Sequence, residues 1–441
     1  MKRLAMLLLI VLMLCGCAKP AAPTEAPTLP PSTEAALPTQ LPTLPPTEAP
    51  TEPSYEEMAR ATVLAAGDVL PHLGVINAGK TGDGYCFDSC FSHIADLVSQ
   101  ADFAVANLET TLAGLEGGYR YSGFPRFNCP DEMADAIKNA GFDMLLTCNN
   151  HAYDTDGYGA LRTLQVLDEK ELLSLGTLTS AEEPGYRVVE VNGIKIGMVC
   201  YSYGEINAET GRKSLNGIPI DREYTGLFHV FDYARLELFY EEMEQHLADM
   251  KAEGAEATVV FIHWGNEYRT QENDHQQGIA RGLCELGIDV IIGGHPHVVQ
   301  GAELLESETG HRTLCVYSVG NLVSNQRREY ISAKRTGHTE DGLIAGFTFV
   351  KYSDGRVHLE EVQLVPIWVA MGASGRAYQV IPLEGDSGDW AERFDLTRRD
   401  AEEAAKSRER TEKIVAEDLA VITAELERLR QLRYEEVYGV G

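Results

Sequence analysis

Asp289-Val290-Ile291-Ile292-Gly293-Gly294-His295-Pro296-His297 is the stretch from which the fold can be worked out. Asp289 to Ile292 reads as a short buried strand, β-branched and too brief for an amphipathic helix. Gly293 and Gly294 then permit a sharp turn. Two histidines follow, separated by a proline that fixes φ. In an extended segment, side chains two residues apart leave on one face, so His295 and His297 are expected to aim at one point. Two converging imidazoles suit a metal that takes nitrogen ligands.

Outward from this stretch the same unit recurs: an apolar strand, a polar tip, then a helix. Ala61 to Ala66 runs into Gly67 and Asp68, and Ala101 to Ala106 closes in Asn107 and Glu109. Phe142 to Thr147 ends in Asn149, Asn150 and His151, with Asp154 just beyond. Ala257 to Ile262 ends in His263, and Leu314 to Ser318 leads to Asn321. Helical patterning fills 131–140, 159–173, 233–253 and 275–286. This alternation argues for an α/β fold with parallel strands joined by crossovers, whose ligands gather beyond the strands' carboxyl ends. The glycine-rich segment 204–226 reads as a lid or rim of that cleft. Strands at 342–350 and 357–366 carry little chemistry and are expected to complete a second sheet. Core packing gives no reason to place His, Asn and carboxylate repeatedly at strand tips. A pair of divalent ions in mixed nitrogen and oxygen coordination does, and Mn, Fe or Zn fit those donors better than Mg or Ca.

The 441 residues are 44% hydrophobic and 24% charged, which is enough for a sizeable core. The net charge of -30 argues against nucleic acid as a partner. Lys2 and Arg3 precede an apolar run from Leu4 to Leu14, too short to span a bilayer, so 1–17 reads as a signal peptide. It ends in Leu14-Cys15-Gly16-Cys17, which resembles a bacterial lipobox. That resemblance implies a lipidated Cys17 and a chain anchored on the extracytoplasmic face of the membrane. Residues 18–54, dense in Pro, Thr, Ala and Glu, form a disordered tether. The folded domain is expected over 55–384 and a helical extension over 385–441. Val415, Leu419, Ile422, Leu426 and Leu429 make a short heptad-like stripe there, expected to pack back on the domain. Cys86 and Cys90 are close enough to bridge, whereas Cys148, Cys200 and Cys315 read as small core residues. No Cys-x-x-Cys pair occurs, so no thiolate zinc site is expected.

An ordered motif set runs across residues 62–325. It comprises Gly67-Asp68, Asn107-Leu-Glu109, Phe127-x-x-Pro130, Ala140-Gly-Phe-Asp143, Asn149-Asn-His151 with Asp154 and Gly157, His263-Trp-Gly265 with Glu267, Gly293-Gly-His-Pro-His-Val298 with Gln300, and Tyr317-Ser-x-Gly-Asn321. The set resembles the capsule-biosynthesis proteins of CapA type, linked to poly-γ-glutamate production and related to calcineurin-like metallophosphoesterases. The resemblance implies a four-layer αββα sandwich of two mixed sheets. It implies metal held by Asp68, Glu109, Asn150, His263, His295 and His297, with His151 as a candidate acid. The chain departs from the metallophosphoesterase pattern. Val69-Leu70 stands where an Asp-x-His motif has its histidine, Asn107-Leu-Glu109 replaces the second aspartate motif, and Asn-Asn-His replaces Gly-Asn-His.

Three functions compete. One is a lipid-anchored surface component of capsule or poly-γ-glutamate biosynthesis, export or retention, whose metal cleft engages the anionic polymer beside other capsule-synthesis membrane proteins. The second is a two-metal phosphoesterase acting on a cell-envelope phosphate ester. The third is a non-catalytic binding module without a transition metal. Arg120, Arg126 and Lys138, near the second and third tips, are candidate carboxylate receivers.

Overall fold

The computed structural model describes residues 55–331, 336–372 and 377–439. The stretches expected to be a signal peptide, 1–17 with Cys17, and a tether, 18–54, lie outside the described residues. In chain order the strands begin with β1 (Glu57–Leu70), β2 (Phe103–Leu108), β3 (Met144–Leu146), β4 (Leu173–Leu175), β5 (Tyr186–Val191) and β6 (Ile194–Tyr203). A small trio follows, β7 (Glu205–Ile206), β8 (Lys213–Leu215) and β9 (Ile218–Pro219). Then come β10 (Val230–Phe231), β11 (Ala257–His263), β12 (Val290–Gly294), β13 (Ala302–Glu306) and β14 (Arg312–Val316). β15 (Asn321–Ser324), β16 (Asp341–Tyr352), β17 (Val357–Ala370) and β18 (Gln379–Pro382) close the series.

The first sheet has the order β18-β17-β16-β1-β2-β3-β4, with β15 also on β1; the second has the order β10-β6-β11-β12-β14-β13, with β5 on β6. Both are mixed. β1, β2, β3 and β4 run parallel in one, and β6, β11, β12 and β14 in the other. β16 and β17 correct an expectation: they belong to the first sheet, where β16 lies antiparallel along β1 as far as Ala66. Beyond that point β15 takes over the edge of β1, pairing Asp68 with Asn321. Strands without polar tips carry no signal of which sheet they join, and pairing with β1 decides it.

Side-chain alternation builds the layers. Ala61, Val63 and Ala65 of β1 face Ile196, Met198 and Cys200 of β6 and Val259 and Phe261 of β11 in one core between the sheets. Leu64 and Ala66 point the other way, onto Met133 and Ile137 of the helix Glu132–Asn139 and Val166 and Leu167 of the helix Asp156–Glu169. On the far side, Val199, Tyr201, Val260 and Ile262 meet Phe239 and Met243 of the helix Leu236–Ala252 and Ile279 and Leu283 of the helix Asp274–Glu285. Helices, sheet, sheet, helices: the architecture is a four-layer αββα sandwich.

The long helix Arg398–Tyr438 starts at the Thr397 cap, whose side chain accepts from Asp400 N–H. Val415, Ile422 and Leu426 are buried in the core between the sheets, with Leu419 against them. The apolar stripe therefore packs back on the domain. All seven described cysteines are free thiols, which corrects the proposed Cys86–Cys90 bridge. Cys90 is buried within the helix Asp88–Phe91, while the exposed Cys86 thiol turns to Asp88 Oδ2 at 3.6 Å. Ile422→Ala is expected to cost about 2–5 kcal/mol of stability. Val421→Ala on the solvent face should stay within about 0.5 kcal/mol, and urea denaturation followed by circular dichroism separates the two.

Candidate metal centre

Parallel strands that end together bring their tips together. Asp68 sits in register with Asn107 on one side and Asn321 on the other, and His263 pairs with Gly294 across the second sheet. At Gly67 the chain makes an irregular step where only glycine fits, since a Cβ there would lie 1.9 Å from Gly320 O. Asp68 N–H then donates to that same carbonyl at 3.0 Å, which fixes where its carboxylate goes.

The structure gathers Asp68, Glu109, Asn150, His263, His295 and His297 into one buried cluster. Donor atoms of Glu109, His263 and His295 all lie within 4.8 Å of one another, and so do those of Asp68, Glu109 and His297. Glu109 belongs to both groups. Its Oε1 lies 3.4 Å from His263 Nε2 and 3.9 Å from His297 Nε2. Asn150 Oδ1 joins the first group at 2.8 Å from His263 Nε2. In the second, His297 Nδ1 lies 3.1 Å from both Asp68 Oδ2 and Asn321 Oδ1. Two acceptors at Nδ1 assign its proton there and leave the Nε2 lone pair toward Glu109.

His295 and His297 reach the cluster by a different route from the expected one. The segment is not extended: His295 has φ 94 and His297 φ 56. With positive φ at both positions the two ring centroids lie 5.9 Å apart, and His295 falls in the first group and His297 in the second. Tyr203 packs on the His295 ring at 4.6 Å.

Burial dominates the electrostatics. Burial pushes the Glu109 carboxyl well up, and the Asp68 charge pushes it further. Asp68 itself is driven up by burial, but the hydrogen bond and charge of His297, with His263 and Asn107, bring it below its ordinary value. Burial lowers His263 to about 3 and holds His295 well below its usual range. Both carboxylate oxygens of Glu109 and Nδ1 of His295 are buried without a hydrogen-bond partner among the described residues. Such orphaned acceptors are costly, and cations satisfy them. The donor set fits divalent metal.

His151 stands beside the cluster. Its Nδ1 is 2.7 Å from Asp154 Oδ2, which also accepts from Phe127 N–H at 2.6 Å, and Phe127 lies edge-on to the ring at 4.7 Å. Asp154 therefore orients the imidazole through Nδ1, and Nε2 has only the 3.4 Å approach of Asn216 Nδ2 among the described residues. Three neighbours complete the surroundings: Asn149, named in the sequence only as part of a strand tip, and His72 and Asn216, which sequence reasoning missed. Asn149 Nδ2 donates to Asn107 Oδ1 and Leu108 O, tying the second and third strand tips together. His72, edge-on to Phe127 at 5.0 Å, is lowered to about 4 by burial. Asn216, from the segment read as a lid or rim, touches Asn150 and His151. Its Asn216-Gly217 dipeptide is a tight-hairpin signal that could have located it. Arg120 and Arg126 are exposed, whereas Lys138 Nζ donates to Glu171 O.

The family model described as bacterial capsule synthesis protein PGA_cap matches residues 62–326. The chain belongs to this family. Relatives of this PGA_cap chain include the capsule biosynthesis protein CapA of Bacillus anthracis, 24% identical over 276 residues that make up 62% of each chain. The PGA biosynthesis protein CapA of Bacillus subtilis (strain 168) is 25% identical over 280 residues, 63% of this chain and 65% of that one. The PGA_cap chain thus spans less than two thirds of the length of either relative. Among solved structures, a candidate 5'-nucleotidase from Staphylococcus aureus aligns over 79% of this chain and 58% of its own, with 14% identity and a TM-score of 0.40. That alignment is loose, and the fold stands on the strand order itself.

The depressed histidines of the PGA_cap domain give a pH dependence. In the unfolded chain a histidine takes its proton near pH 6.5, whereas folded His72 and His263 hold off to about 4 and about 3. Their contribution is fully present above about pH 6.5 and is lost as pH falls toward the folded values. Metal-free protein should show a urea midpoint that declines steadily from about pH 7 to about pH 4. His72→Phe should make that decline shallower between about pH 6.5 and about pH 4, and an unchanged profile would contradict the assignment.

Proposed function

We propose that this chain is a lipid-anchored, extracytoplasmic component of capsule or poly-γ-glutamate biosynthesis, export or retention, with a dinuclear metal cleft that engages the anionic polymer. Family membership and the names of the Bacillus relatives support the polymer class. The observation that carries the metal reading is Glu109, shared by two donor groups with both oxygens otherwise unpartnered. Asn150, His263 and His295 would complete one site, and Asp68 and His297 the other, with Mn, Fe or Zn suited to the donors. When bound, such ions supply positive charge and Lewis acidity toward an anionic oxygen. A chain of net charge -30 needs that local charge to receive a polyanion. Arg120 and Arg126, exposed and without ion pairs among the described residues, supplement it. Lipid on Cys17 and the 18–54 tether would hold the domain near partner membrane proteins of capsule synthesis. Among the described residues no helix is long and apolar enough to cross a membrane.

A second reading, a two-metal phosphoesterase on a cell-envelope phosphate ester, is favoured by His151. Its ring is tied to Asp154 and covered by Phe127, so its Nε2 is placed to give a proton to a leaving oxygen beside the cluster.

Elemental analysis of the purified protein should find about two equivalents of Mn, Fe or Zn. Glu109→Gln and His295→Ala should each lower that content. Polyglutamate should be retained by metal-loaded protein and released by a chelator. Metal-dependent turnover of a phosphodiester, lost in His295→Ala and in His151→Ala, would assign the second reading. Protein that carries no transition metal would leave only a non-catalytic binding module.

A further inference from the structure

The geometry points to Asn216 as a positioning residue of this centre: its carboxamide decides which end of Asn150 faces the donor cluster and fixes the plane of the His151 ring. The inference rests on the metal reading above and adds a residue outside the ordered motif set.

Asn216 and Gly217 form the two-residue turn between β8 and β9, with Leu215 paired to Ile218 and Ser214 to Pro219. Their φ values, 48 and 69, are the left-handed pair that such a hairpin requires. The base of the hairpin is held independently of its tip. Leu215 and Ile220 are buried with Tyr153, Phe228 and Val230. Lys213 Nζ donates to Phe228 O at 2.6 Å, Arg212 Nε to Ile220 O at 2.8 Å, and Asp221 N–H to Tyr153 Oη at 3.1 Å. The tip is therefore delivered to the cleft by a rigid base.

At the tip, Asn216 Oδ1 accepts from Asn150 Nδ2 at 3.0 Å. A carboxamide has two ends of nearly the same shape, one donating and one accepting. An acceptor on the outer side holds the NH₂ end outward. Asn150 Oδ1 is thereby turned inward, 2.8 Å from His263 Nε2, where a cation needs oxygen rather than an NH₂ group. The other end of Asn216 serves His151. Asn216 Nδ2 is 3.4 Å from both ring nitrogens, and equal distances place it over the imidazole face rather than in its plane. With Phe127 edge-on and Asp154 at Nδ1, the ring is held on three sides. One side chain thus sets both members of the Asn150-His151 pair.

The test uses Co²⁺ as probe, titrated into metal-free full-length protein against a competing chelator and read by its visible absorption. Asn216→Gly keeps the left-handed turn and removes the side chain, so it isolates the carboxamide from backbone strain. Its Co²⁺ affinity should fall about 10–100-fold, as for loss of other groups that orient a ligand, with the metal-free melting temperature unchanged. Asn216→Asp keeps an acceptor and should hold affinity within about threefold of wild type. The decisive arm is Asn150→Asp, whose carboxylate presents oxygen at either end. In that background Asn216→Gly should cause no further loss. Wild-type affinity in Asn216→Gly, equal losses in the Gly and Asp variants, or the same loss in both backgrounds would overturn the assignment while leaving the metal reading intact. Wild-type protein that binds no Co²⁺ would overturn both.

Discussion

Two carboxylates buried side by side, Asp68 and Glu109, impose the constraint that the rest of the molecule answers. Neither is exposed at all, and among the described residues Glu109 has no hydrogen-bond partner for either oxygen. Leaving an unpaired charge buried costs several kcal/mol. His297 offsets the cost at Asp68 through its hydrogen bond and charge, but burial keeps His263 and His295 from taking protons beside Glu109. Without a cation the pair is eased by Glu109 keeping its proton, as its upward shift indicates; a cation between the two would let both ionise. The donor set is one that a cation would satisfy, with Glu109 as the carboxylate common to both groups.

The sandwich makes that arrangement rigid. Asp68 and Glu109 come from the first sheet, His263 and the His295/His297 turn from the second, so the cluster forms only where the two sheets abut. The apolar face between them, filled by β1, β6, β11 and β12, fixes the separation of the two halves. The long C-terminal helix inserts Val415, Ile422 and Leu426 into that same core. Sheet spacing, and with it the donor geometry, therefore depends on residues far from the chemistry.

The strand tips are legible in the sequence because a polar residue after an apolar run has no packing explanation. Asp68, Glu109, Asn150, His263, His295 and His297 were all found that way, and all lie together. The backbone at His295 and His297 is not legible. Positive φ is rare for histidine, and only the surroundings that hold it reveal it. Strands β16 and β17 were visible as strands but not as members of the first sheet, since nothing in an antiparallel apolar strand specifies its neighbour. Asn216 was hidden for a third reason: it meets Asn150 across 66 positions, from a hairpin whose sequence declares only a turn.

The segment between Glu109 and Phe127 joins the chemistry to the surface. It leaves the cluster at Glu109, and its first residues are clamped: Leu112 N–H to Thr163 Oγ1, Ala113 N–H to Asn128 Oδ1, Thr111 Oγ1 to Phe127 O. It then emerges with Arg120, Phe124 and Arg126 exposed, and returns at Phe127, whose N–H meets Asp154 and whose ring meets His151. Both ends of this excursion are thus buried at the centre, and its exposed middle carries two arginines without ion pairs among the described residues. In a chain as acidic as this one, long-range attraction cannot guide a polyanion. Under the proposed function recognition would be local, and screening would confine it to about 8 Å at physiological ionic strength. A loop anchored at the cluster on both sides is the part of the surface that can offer such local charge.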